Sequence, residues 1–372
     1  MSSRPLSAVV LAAGEGARMR SARPKPLHVL CGRAMVMHVI HALAGLGVDR
    51  VVVVVGHGGE QVTKAVTEDA PPGLIVDFIE QRVQRGTGDA MSVALDAFPE
   101  EELDGDDVLV LPGDTPLLGP ATLAALVGEH RATEAAATML TAQVATPTGY
   151  GRVLRDRHGK VARVVEEADA SDLERMIDEV NTSIYCFRRG ELAPALRRLT
   201  PQNAQGEYYL TDVLAVLHDA GYPVASLPTS DPMEAAGVND RVQLAMVEAE
   251  LRARTNSSWM RQGVTMIDPD HTYVDVSVEL SPDVTLFPGT LLQGSTRVSG
   301  GARVGPHTRL VDCLVGEGAV VEQTDGRQCE IGADAHVGPL AALGPGSRVP
   351  PATVTGPFFT AGVEDERGSA WT

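Results

Sequence analysis

The chain has 372 residues, a length that allows two or three domains with sizeable hydrophobic cores and excludes a single small module. Hydrophobic residues make up 44% and charged residues 22% of the chain, which excludes wholesale disorder and a fibrous architecture. The formal net charge of −18 argues against a general affinity for nucleic acid or anionic membranes, so an anionic ligand would need a locally basic site.

The start of the chain and the cysteines both bear on cellular location. No run of about 18 apolar residues occurs, and the first residues lead into a short apolar strand, so we expect a cytoplasmic protein without a membrane span. We expect the cysteines to be small buried hydrophobic residues rather than disulfides or zinc ligands. They lie far apart and form no Cys-x-x-Cys pair: Cys31, Cys186, Cys313 and Cys329.

The first 240 or so residues alternate short β-branched runs with longer helical patterns, which predicts a parallel sheet with helices on its faces. Residues 7–11 and 51–55 are predicted central strands, joined through a helix over 34–46 in a right-handed β-α-β unit. Further strands are predicted at 74–80 and 107–111. Open α/β sheets bind ligands beyond the carboxyl ends of their strands, so we expect chemistry in the polar loops after the first and fourth strands.

From about residue 270, aliphatic residues recur at an interval of six, and Gly, Pro, Ser and Thr fill the positions between them. The interval slips near Val315 and resumes at Ile331. Such a repeat predicts short strands stacked into a parallel β-helix, whereas β-sandwich strands would show a period of two. A linker helix is predicted at 241–258. The repeating residues are Val274, Leu280, Leu286, Leu292, Val298, Val304 and Leu310, then Ile331, Val337, Leu343 and Val349.

A loop rich in glycine and in cations follows the first predicted strand. Residues 11–26 read LAAGEGARMRSARPKP, and the small residues allow backbone amides to approach a phosphate closely. The pattern is neither a Walker loop nor a complete Gly-x-Gly-x-x-Gly, which disfavours P-loop hydrolysis and dinucleotide redox chemistry. A simple turn is the alternative interpretation. Four cations lie within eight positions: Arg18, Arg20, Arg23 and Lys25.

This loop resembles the signature of sugar-1-phosphate nucleotidyltransferases, which have a Rossmann-like fold. More narrowly, the chain resembles the family of bacterial bifunctional N-acetylglucosamine-1-phosphate uridylyltransferases and glucosamine-1-phosphate acetyltransferases, from residue 7 to about residue 360. The motifs that carry this resemblance after the first loop are GHGG at 56–59, QRGTG at 84–88, GDTPL at 113–117, TGYGR at 148–152, EVNT at 179–182, NAQGEYYLTD at 203–212 and GVN at 237–239.

The resemblance implies a division of the chain. A Rossmann-like α/β nucleotidyltransferase domain would occupy residues 1–240, a linker helix and connection 241–269, a short left-handed parallel β-helix 270–355 and a tail 356–372. Family members carry a longer β-helix whose later coils supply the acetyltransferase residues. Because this chain ends shortly after the section where those coils would begin, we expect acetyl transfer to be absent. The histidines of the early coils, at 307 and 336, are expected to be surface or turn residues.

The resemblance also assigns the nucleotide site. The glycine-rich loop of the family wraps the nucleoside triphosphate, and Arg18 and Lys25 match its catalytic, phosphate-contacting cations. Gln81, Gly86 and Thr87 match the uracil-reading positions, where an amide pairs with a base edge and glycine permits close backbone approach. A solvated Lys25 and a surface Gln81 are the alternatives. The loop positions implied in nucleotide binding are Leu11, Ala12, Ala13 and Gly14.

Two further groups of residues match the metal site and the sugar site of the family. The resemblance implies that Asp114 and Asn239 are magnesium ligands, and one carboxylate, one amide and phosphate oxygens suffice for Mg²⁺. A turn-forming Asp114 and an Asn239 that caps the linker helix are the alternatives. The sugar site supplies a carboxylate, an amide and a hydroxyl, which recognise a polyol through hydrogen bonds. Its matching residues are Gly151, Glu166, Asn181 and Thr211.

The implied reaction converts UTP and N-acetylglucosamine 1-phosphate into UDP-N-acetylglucosamine and pyrophosphate, with Mg²⁺ as cofactor. A homotrimer is implied, and no nucleic acid or membrane partner is expected. Because several positions depart from the family pattern and the β-helix is short, a nucleotidyltransferase for a different sugar or pseudo-sugar 1-phosphate is an alternative. A non-catalytic sugar-nucleotide-binding scaffold is a second alternative. The departing positions are Glu15, Ala17, Glu167 and Ala168.

Overall fold

The computed structural model describes residues 4–98 and 106–362, which fall into two compact units. The first unit comprises the described residues up to His28 and Ala34–Leu244, and the second comprises Val29–Arg33 and the described residues from Ala245 onwards. The division therefore falls inside the helix that begins at Arg241. Over the described ranges, every helix is too short or too polar to cross a membrane.

The part of the chain before residue 262 alternates strands and helices, as predicted. Its strands are β1 (Leu6–Ala12), β2 (Val29–Leu30), β3 (Arg33–Ala34), β4 (Arg50–Val55), β5 (Val76–Glu80), β6 (Asp107–Pro112), β7 (Ala137–Gln143), β8 (Arg152–Arg155), β9 (Val161–Val165), β10 (Glu179–Arg188) and β11 (Val224–Pro228). Its α-helices are α1 (Met35–Leu43), α2 (Gly59–Asp69), α3 (Thr87–Leu95), α4 (Pro120–Ala132), α5 (Asp172–Arg175), α6 (Arg189–Leu196), α7 (Asp212–Asp219) and α8 (Arg241–Arg261).

A nine-stranded sheet forms the centre of the first unit, with a main order of β11-β7-β10-β6-β1-β4-β5. Strand β1 runs parallel to both β4 and β6, so that Val9 lies between Val52 and Val110. The prediction of a parallel sheet is confirmed here, but β10 runs antiparallel to β6 and β7. The reason is local: the β8–β9 hairpin precedes β10, and an antiparallel return needs no crossover helix.

The two faces of this sheet are both buried, which explains the continuous apolar runs of its central strands. Side chains alternate between the faces along a strand, so Val9 of β1 packs into one core while Ala8 and Val10 pack into the other. All three side chains are fully buried. The carboxyl ends of the parallel strands meet at one edge, and the loops that follow β1, β5 and β6 lie together there.

The second unit is a parallel β-helix, as the six-residue interval predicted. Three sheets of five, six and five strands run along it, and aliphatic side chains stack inside the coil. Its strands are β12 (Thr265–Met266), β13 (Tyr273–Val274), β14 (Glu279–Leu280), β15 (Thr285–Leu286), β16 (Leu291–Gln293), β17 (Arg297–Val298), β18 (Arg303–Val304), β19 (Arg309–Val311), β20 (Leu314–Val315), β21 (Val320–Val321), β22 (Thr324–Arg327), β23 (Glu330–Ile331), β24 (His336–Val337), β25 (Ala341–Leu343), β26 (Arg348–Val349) and β27 (Thr360–Ala361).

The slip in the interval reflects shorter coils, because Leu286 pairs with Val304, 18 residues later, whereas Val315 pairs with Ile331, 16 residues later. Gly326 pairs with Leu310 in the neighbouring coil, so glycine takes the inward position where the repeat would place an aliphatic residue. A Cβ at Gly326 would lie 2.8 Å from Leu310 Cδ2, so the leucine fills the space that glycine leaves. The parallel pairing continues to β27, beyond the predicted start of the tail at 356, while 363–372 lie outside the described residues.

Candidate active site

A cavity of about 710 Å³ lies in the first unit, beyond the carboxyl ends of β1, β5 and β6. Strand β1 ends at its centre, and loops and strand ends that are distant in sequence surround it. All of the predicted site residues except Arg18 line it. They are Leu11, Ala12, Ala13, Gly14, Lys25, Gln81, Gly86, Thr87, Asp114, Gly151, Glu166, Asn181, Thr211 and Asn239.

The glycine-rich loop after β1 is folded against the predicted catalytic lysine. Gly16 adopts a φ of 64°, and a Cβ there would lie 2.6 Å from Lys25 Cβ. Glycine is therefore required by both the backbone conformation and the packing. The short helix Ala17–Met19 follows and anchors the loop, because Met19 is buried. The departing residues Glu15 and Ala17 are exposed and lie outside the cavity lining.

A polar cluster at one end of the cavity comprises three of the lining side chains and Arg18 beside them. The ammonium group of Lys25 donates hydrogen bonds to the carboxylate of Asp114 and, at 2.9 Å, to Asn239 Oδ1. Arg18 Nη2 donates to the same Asn239 oxygen at 3.0 Å. Arg18 thus reaches the predicted metal ligands without lining the cavity itself. The two predicted cations and the two predicted metal ligands form one connected network.

The backbone explains why Asn239 lies beside Asp114. Val238 N donates to the carbonyl of Asp114 at 2.9 Å, which joins the loop after β6 to the segment before α8. The side chain of Asp240 caps α8, since its Oδ1 accepts from the backbone amides of Val242 and Gln243. Asn239 is therefore not the cap that the alternative interpretation suggested, and its side chain is directed at the cation cluster instead.

The donor set at this end suits a hard cation. A carboxylate and an amide oxygen from Asp114 and Asn239 converge on one position, where the Lys25 ammonium lies. Oxygen donors of this kind are what Mg²⁺ prefers, and Mg²⁺ usually keeps waters and takes substrate phosphate oxygens as well. Within residues 4–98 and 106–362, no group of three or more His, Cys, Asp or Glu side chains is placed to hold a metal. The residues present thus fit Mg²⁺ with a phosphate ligand.

Another part of the cavity lining contains Gln81, which directly follows β5. Its backbone N donates to Val55 O at 2.8 Å, and its side chain is buried at the cavity wall. Gly86 adopts a φ of 107°, and a Cβ there would lie 2.5 Å from Tyr208 O. Thr87 begins α3, and its Oγ1 accepts from Leu210 N at 3.0 Å. Tight backbone packing therefore fixes the wall on which Gln81 lies.

A third group of polar cavity residues surrounds Asn181 in β10. The register of β10 against β7 shifts between Asn181 and Tyr185, and Ser183 in this bulge has a φ of 61°. Bulges of this kind reorient side chains next to functional sites. Asn181 Oδ1 accepts from Tyr185 Oη at 2.9 Å, and Asn181 N donates to Gly151 O at 2.8 Å. The carboxamide nitrogen of Asn181 is thereby oriented independently of any ligand.

Glu166 lies after β9 and carries the carboxylate of this third group. Thr211 Oγ1 donates to Glu166 Oε1 at 3.1 Å. Burial raises the pKa of Glu166 above its ordinary value of 4.5, and the charges of Asp212 and Asp169 raise it further, against the opposing hydrogen bond from Thr211. An acceptor whose charge is poorly solvated gains most from hydroxyl donors, so this carboxyl is suited to a sugar hydroxyl.

Glu167, one of the departing residues, is balanced by a neighbouring cation. Arg152 Nη1 lies 2.7 Å from Glu167 Oε2, and the arginine side chain is 2% exposed. The hydrogen bond from Arg152 holds the pKa of Glu167 below its usual range. The negative charge that replaces a basic residue in the family pattern is therefore paired within the protein.

Sequence reasoning missed several residues that shape the cavity. Gln84 Nε2 donates to Ala13 O at 2.6 Å and so ties the loop before α3 to the glycine-rich loop. Tyr150 and Tyr185 also line the cavity. Gln84 is the first residue of the quoted motif at 84–88, and that position was its only signal. Arg20 and Arg23, which the sequence grouped with Arg18 and Lys25, do not line the cavity.

The chain is similar to proteins of one family over most of its length. Residues 8–220 match the family model described as the MobA-like NTP transferase domain. The chain is 47% identical over 340 residues to the "Bifunctional protein GlmU" of Mycolicibacterium gilvum, which covers 91% of this chain and 68% of that protein. The protein of the same name from Kineococcus radiotolerans is 48% identical over 345 residues, covering 93% of this chain and 69% of the relative.

A relative from another bacterium gives the same result. The "Bifunctional protein GlmU" of Desulfitobacterium hafniense is 45% identical over 341 residues, covering 92% of this chain and 73% of its own length. The resemblance inferred from the motifs is thereby confirmed, and the α/β unit with the cavity is the part that matches the NTP transferase model. The chain belongs to the GlmU family and is a nucleotidyltransferase.

Proposed function

We propose that this enzyme catalyses the reaction of UTP with N-acetylglucosamine 1-phosphate to give UDP-N-acetylglucosamine and pyrophosphate. The observation that carries the proposal is the arrangement of this cavity of the first unit. It contains a base-reading wall at Gln81, a cation and carboxylate cluster at Lys25 and Asp114, and a polyol-binding group at Glu166 and Asn181. A nucleoside triphosphate and a sugar phosphate each find suitable partners there.

The chemical step needs no nucleophile from the protein. A phosphate oxygen of the sugar 1-phosphate attacks the α-phosphorus of UTP and forms the new P–O bond. The bond from the α-phosphorus to the bridging oxygen breaks, and its electron pair leaves with pyrophosphate. Lys25 and Arg18 neutralise negative charge that shifts towards the leaving group, and the cavity walls hold the two reactants in line.

Asp114 and Asn239 would hold the magnesium ion in this enzyme, because their oxygens converge on one position. When bound, Mg²⁺ supplies electrostatic stabilisation of the phosphate oxygens. The Lys25 ammonium lies between the same two oxygens, so it would move from them towards phosphate when magnesium and substrates bind. This exchange keeps the carboxylate of Asp114 neutralised in both states.

Mutation of this cluster tests the proposal through release of pyrophosphate. We expect Asp114→Asn and Lys25→Ala each to lower turnover about 100-fold or more, with the melting temperature changed by only a few degrees. The control is Asp172→Asn, the same change at a fully exposed carboxylate of the same unit, which should leave turnover unchanged. Near-normal turnover in either cluster variant would contradict the assignment.

A different sugar 1-phosphate is the second candidate. Ala168 lies in the cavity lining beside Glu167, where the family pattern has basic residues, so a cation near the sugar is missing at this point. A panel of sugar 1-phosphates assayed with UTP separates the candidates. The highest kcat/KM on N-acetylglucosamine 1-phosphate would support the first, and a higher value on any other sugar 1-phosphate would support the second.

We also propose a homotrimer in the cytoplasm, on the strength of the family resemblance. A parallel β-helix such as residues 264–361 presents flat outer faces that suit assembly about a threefold axis. Light scattering coupled to size-exclusion chromatography measures the assembly directly. A mass of one or two chains at micromolar concentration would contradict the trimer.

A further inference from the structure

Asp89 and Arg85 lie behind the base-reading wall of the cavity, outside its lining. The Oδ1 atom of Asp89 accepts two hydrogen bonds from Arg85, at 3.1 Å from Nε and at 2.7 Å from Nη2. Its Oδ2 atom accepts from Gln81 Nε2 at 2.8 Å. The Asp89 side chain is 10% exposed and that of Arg85 is 60% exposed, so the arginine covers the carboxylate on its solvent side.

The hydrogen bonds of Gln81 fix the orientation of its carboxamide. The nitrogen has two hydrogens, one donated to Asp89 Oδ2 and the other to Gly86 O at 3.2 Å. Both neighbours are acceptors only, which assigns the nitrogen to that side. Among residues 4–98 and 106–362, no group donates a hydrogen bond to the Gln81 oxygen. Because Gln81 lines the cavity, this oxygen is the atom left for a ligand.

We propose that Asp89, held by Arg85, is a positioning residue that keeps Gln81 as a hydrogen-bond acceptor and thereby selects bases with an imide N–H, such as uracil. The inference rests on the proposed function and deepens it, since it says how the nucleotide is chosen. Rotating the carboxamide by half a turn would place its oxygen against two acceptors, the Asp89 carboxylate and the Gly86 carbonyl. That rotation is therefore unfavourable while Asp89 is charged and paired.

The chemistry of the pyrimidine bases makes the consequence specific. Uracil presents N3–H between two carbonyl groups, whereas cytosine presents an unprotonated N3 that is itself an acceptor. An acceptor held at Gln81 thus meets a donor in UTP and another acceptor in CTP. A site with a polar group left unpaired by the wrong substrate discriminates strongly against that substrate.

The test compares kcat/KM for UTP and CTP in the wild type and in Asp89→Asn. An asparagine that turns its oxygen to Arg85 offers its nitrogen to Gln81, and the Gln81 oxygen is then drawn away from the ligand. We expect the UTP:CTP ratio to fall about 10-fold or more, mainly through KM for UTP. The ratio for 5-methyluridine triphosphate against UTP should not change, because these two nucleotides share the same imide edge. Asp172→Asn, at an exposed carboxylate, is the matched control.

A second variant keeps the test decisive if Asp89→Asn folds poorly. Arg85→Gln retains the carboxylate but removes the group that holds it, so we expect a smaller fall in the same ratio. An unchanged ratio in a folded variant, or an equal loss with all three nucleotides, would overturn the inference. Failure of the proposed function is distinguishable, because the wild type would then transfer no nucleotide at all. In that case the ratio of the Kd values for UTP and CTP, measured by calorimetry, replaces the ratio of the kcat/KM values.

Discussion

At the scale of single residues, Glu166 shows how the site gives up stability for recognition. Burial raises the pKa of Glu166 above 4.5, so the folded protein binds its proton more tightly than the unfolded chain does. Stability therefore falls as the pH rises from 4.5 through the raised pKa. At neutral pH the ionised form makes an unfavourable contribution to folding, and the benefit is a strong acceptor in the cavity.

The direction of this pKa shift gives a prediction for Glu166→Gln. We expect the variant to be more stable than the wild type at pH 8, because an amide has no charge to desolvate. The difference should vanish near pH 4, where both side chains are neutral. Urea unfolding at the two pH values measures this difference in stability. The KM for the sugar phosphate should rise about 10-fold or more, since a hydrogen bond to a charged acceptor is lost. A variant that is equally stable at both pH values would contradict the argument.

Gly86 is a second residue whose backbone conformation bears on nucleotide binding. Its φ of 107° and the Tyr208 carbonyl, 2.5 Å from an added Cβ, leave no room for alanine. We expect Gly86→Ala to displace the loop that carries Gln81 and to lower kcat/KM for UTP by about 100-fold, through nucleotide binding. Gly128→Ala is the control, because nothing lies within 4 Å of an added Cβ there. Pyrophosphate release measures the activity of the two variants, and similar activities would contradict the prediction.

At the scale of elements, Asp107 anchors the start of β6, the strand that leads to Asp114. Its carboxylate is fully buried, with Arg131 Nε at 2.8 Å and both Arg4 Nε and His130 Nε2 at 3.5 Å. Burial alone would raise the pKa of Asp107, but its interactions with His130 and Arg131 outweigh it and hold the pKa below 3.8. The pairing therefore stabilises the fold above pH 3.8 and is lost as the pH falls through the lowered pKa.

Asp107→Asn should accordingly lower the free energy of unfolding at pH 7 by about 3 kcal/mol, because it leaves the partly exposed guanidinium groups of Arg4 and Arg131 without their buried partner. The loss should shrink below pH 3.8, where the wild-type carboxyl also becomes neutral. Urea unfolding followed by circular dichroism at pH 7 and pH 3 gives both values. A loss of the same size at both pH values would indicate a packing effect instead.

The β-helix is the second element whose stability is predictable. Leu292 is fully buried in the coil, whereas Leu291, its neighbour in β16, is partly exposed. We expect Leu292→Ala to cost about 2–5 kcal/mol of unfolding free energy and Leu291→Ala clearly less. Trp259 packs against this core, so its fluorescence in a Trp371→Phe background reports the unfolding of the β-helix. Equal costs for the two variants would contradict the inward assignment of Leu292.

At the scale of the whole molecule, regular patterns were predictable and irregular ones were not. The continuous apolar runs at 51–55 and 108–111 indicated buried strands, and the interval of six indicated stacked coils. Strand β10 was missed. Its direction depends on the β8–β9 hairpin before it, and the pattern of its own residues does not show the direction of a strand. Gly326 was similarly hidden, since it occupies an inward position without an apolar side chain.

The sequence by itself determined which chemical groups are available, because local patterns of glycine, cations and carboxylates, read with a family resemblance, depend on the chain alone. It did not determine which of those groups act together. Arg20 and Arg23 lie in the same loop as Lys25 but outside the cavity lining, whereas Asn239 comes from 214 positions away to share its ammonium group. Only the tertiary structure decided this, because hydrogen bonds between distant segments arise when the sheet brings its strand ends to one edge.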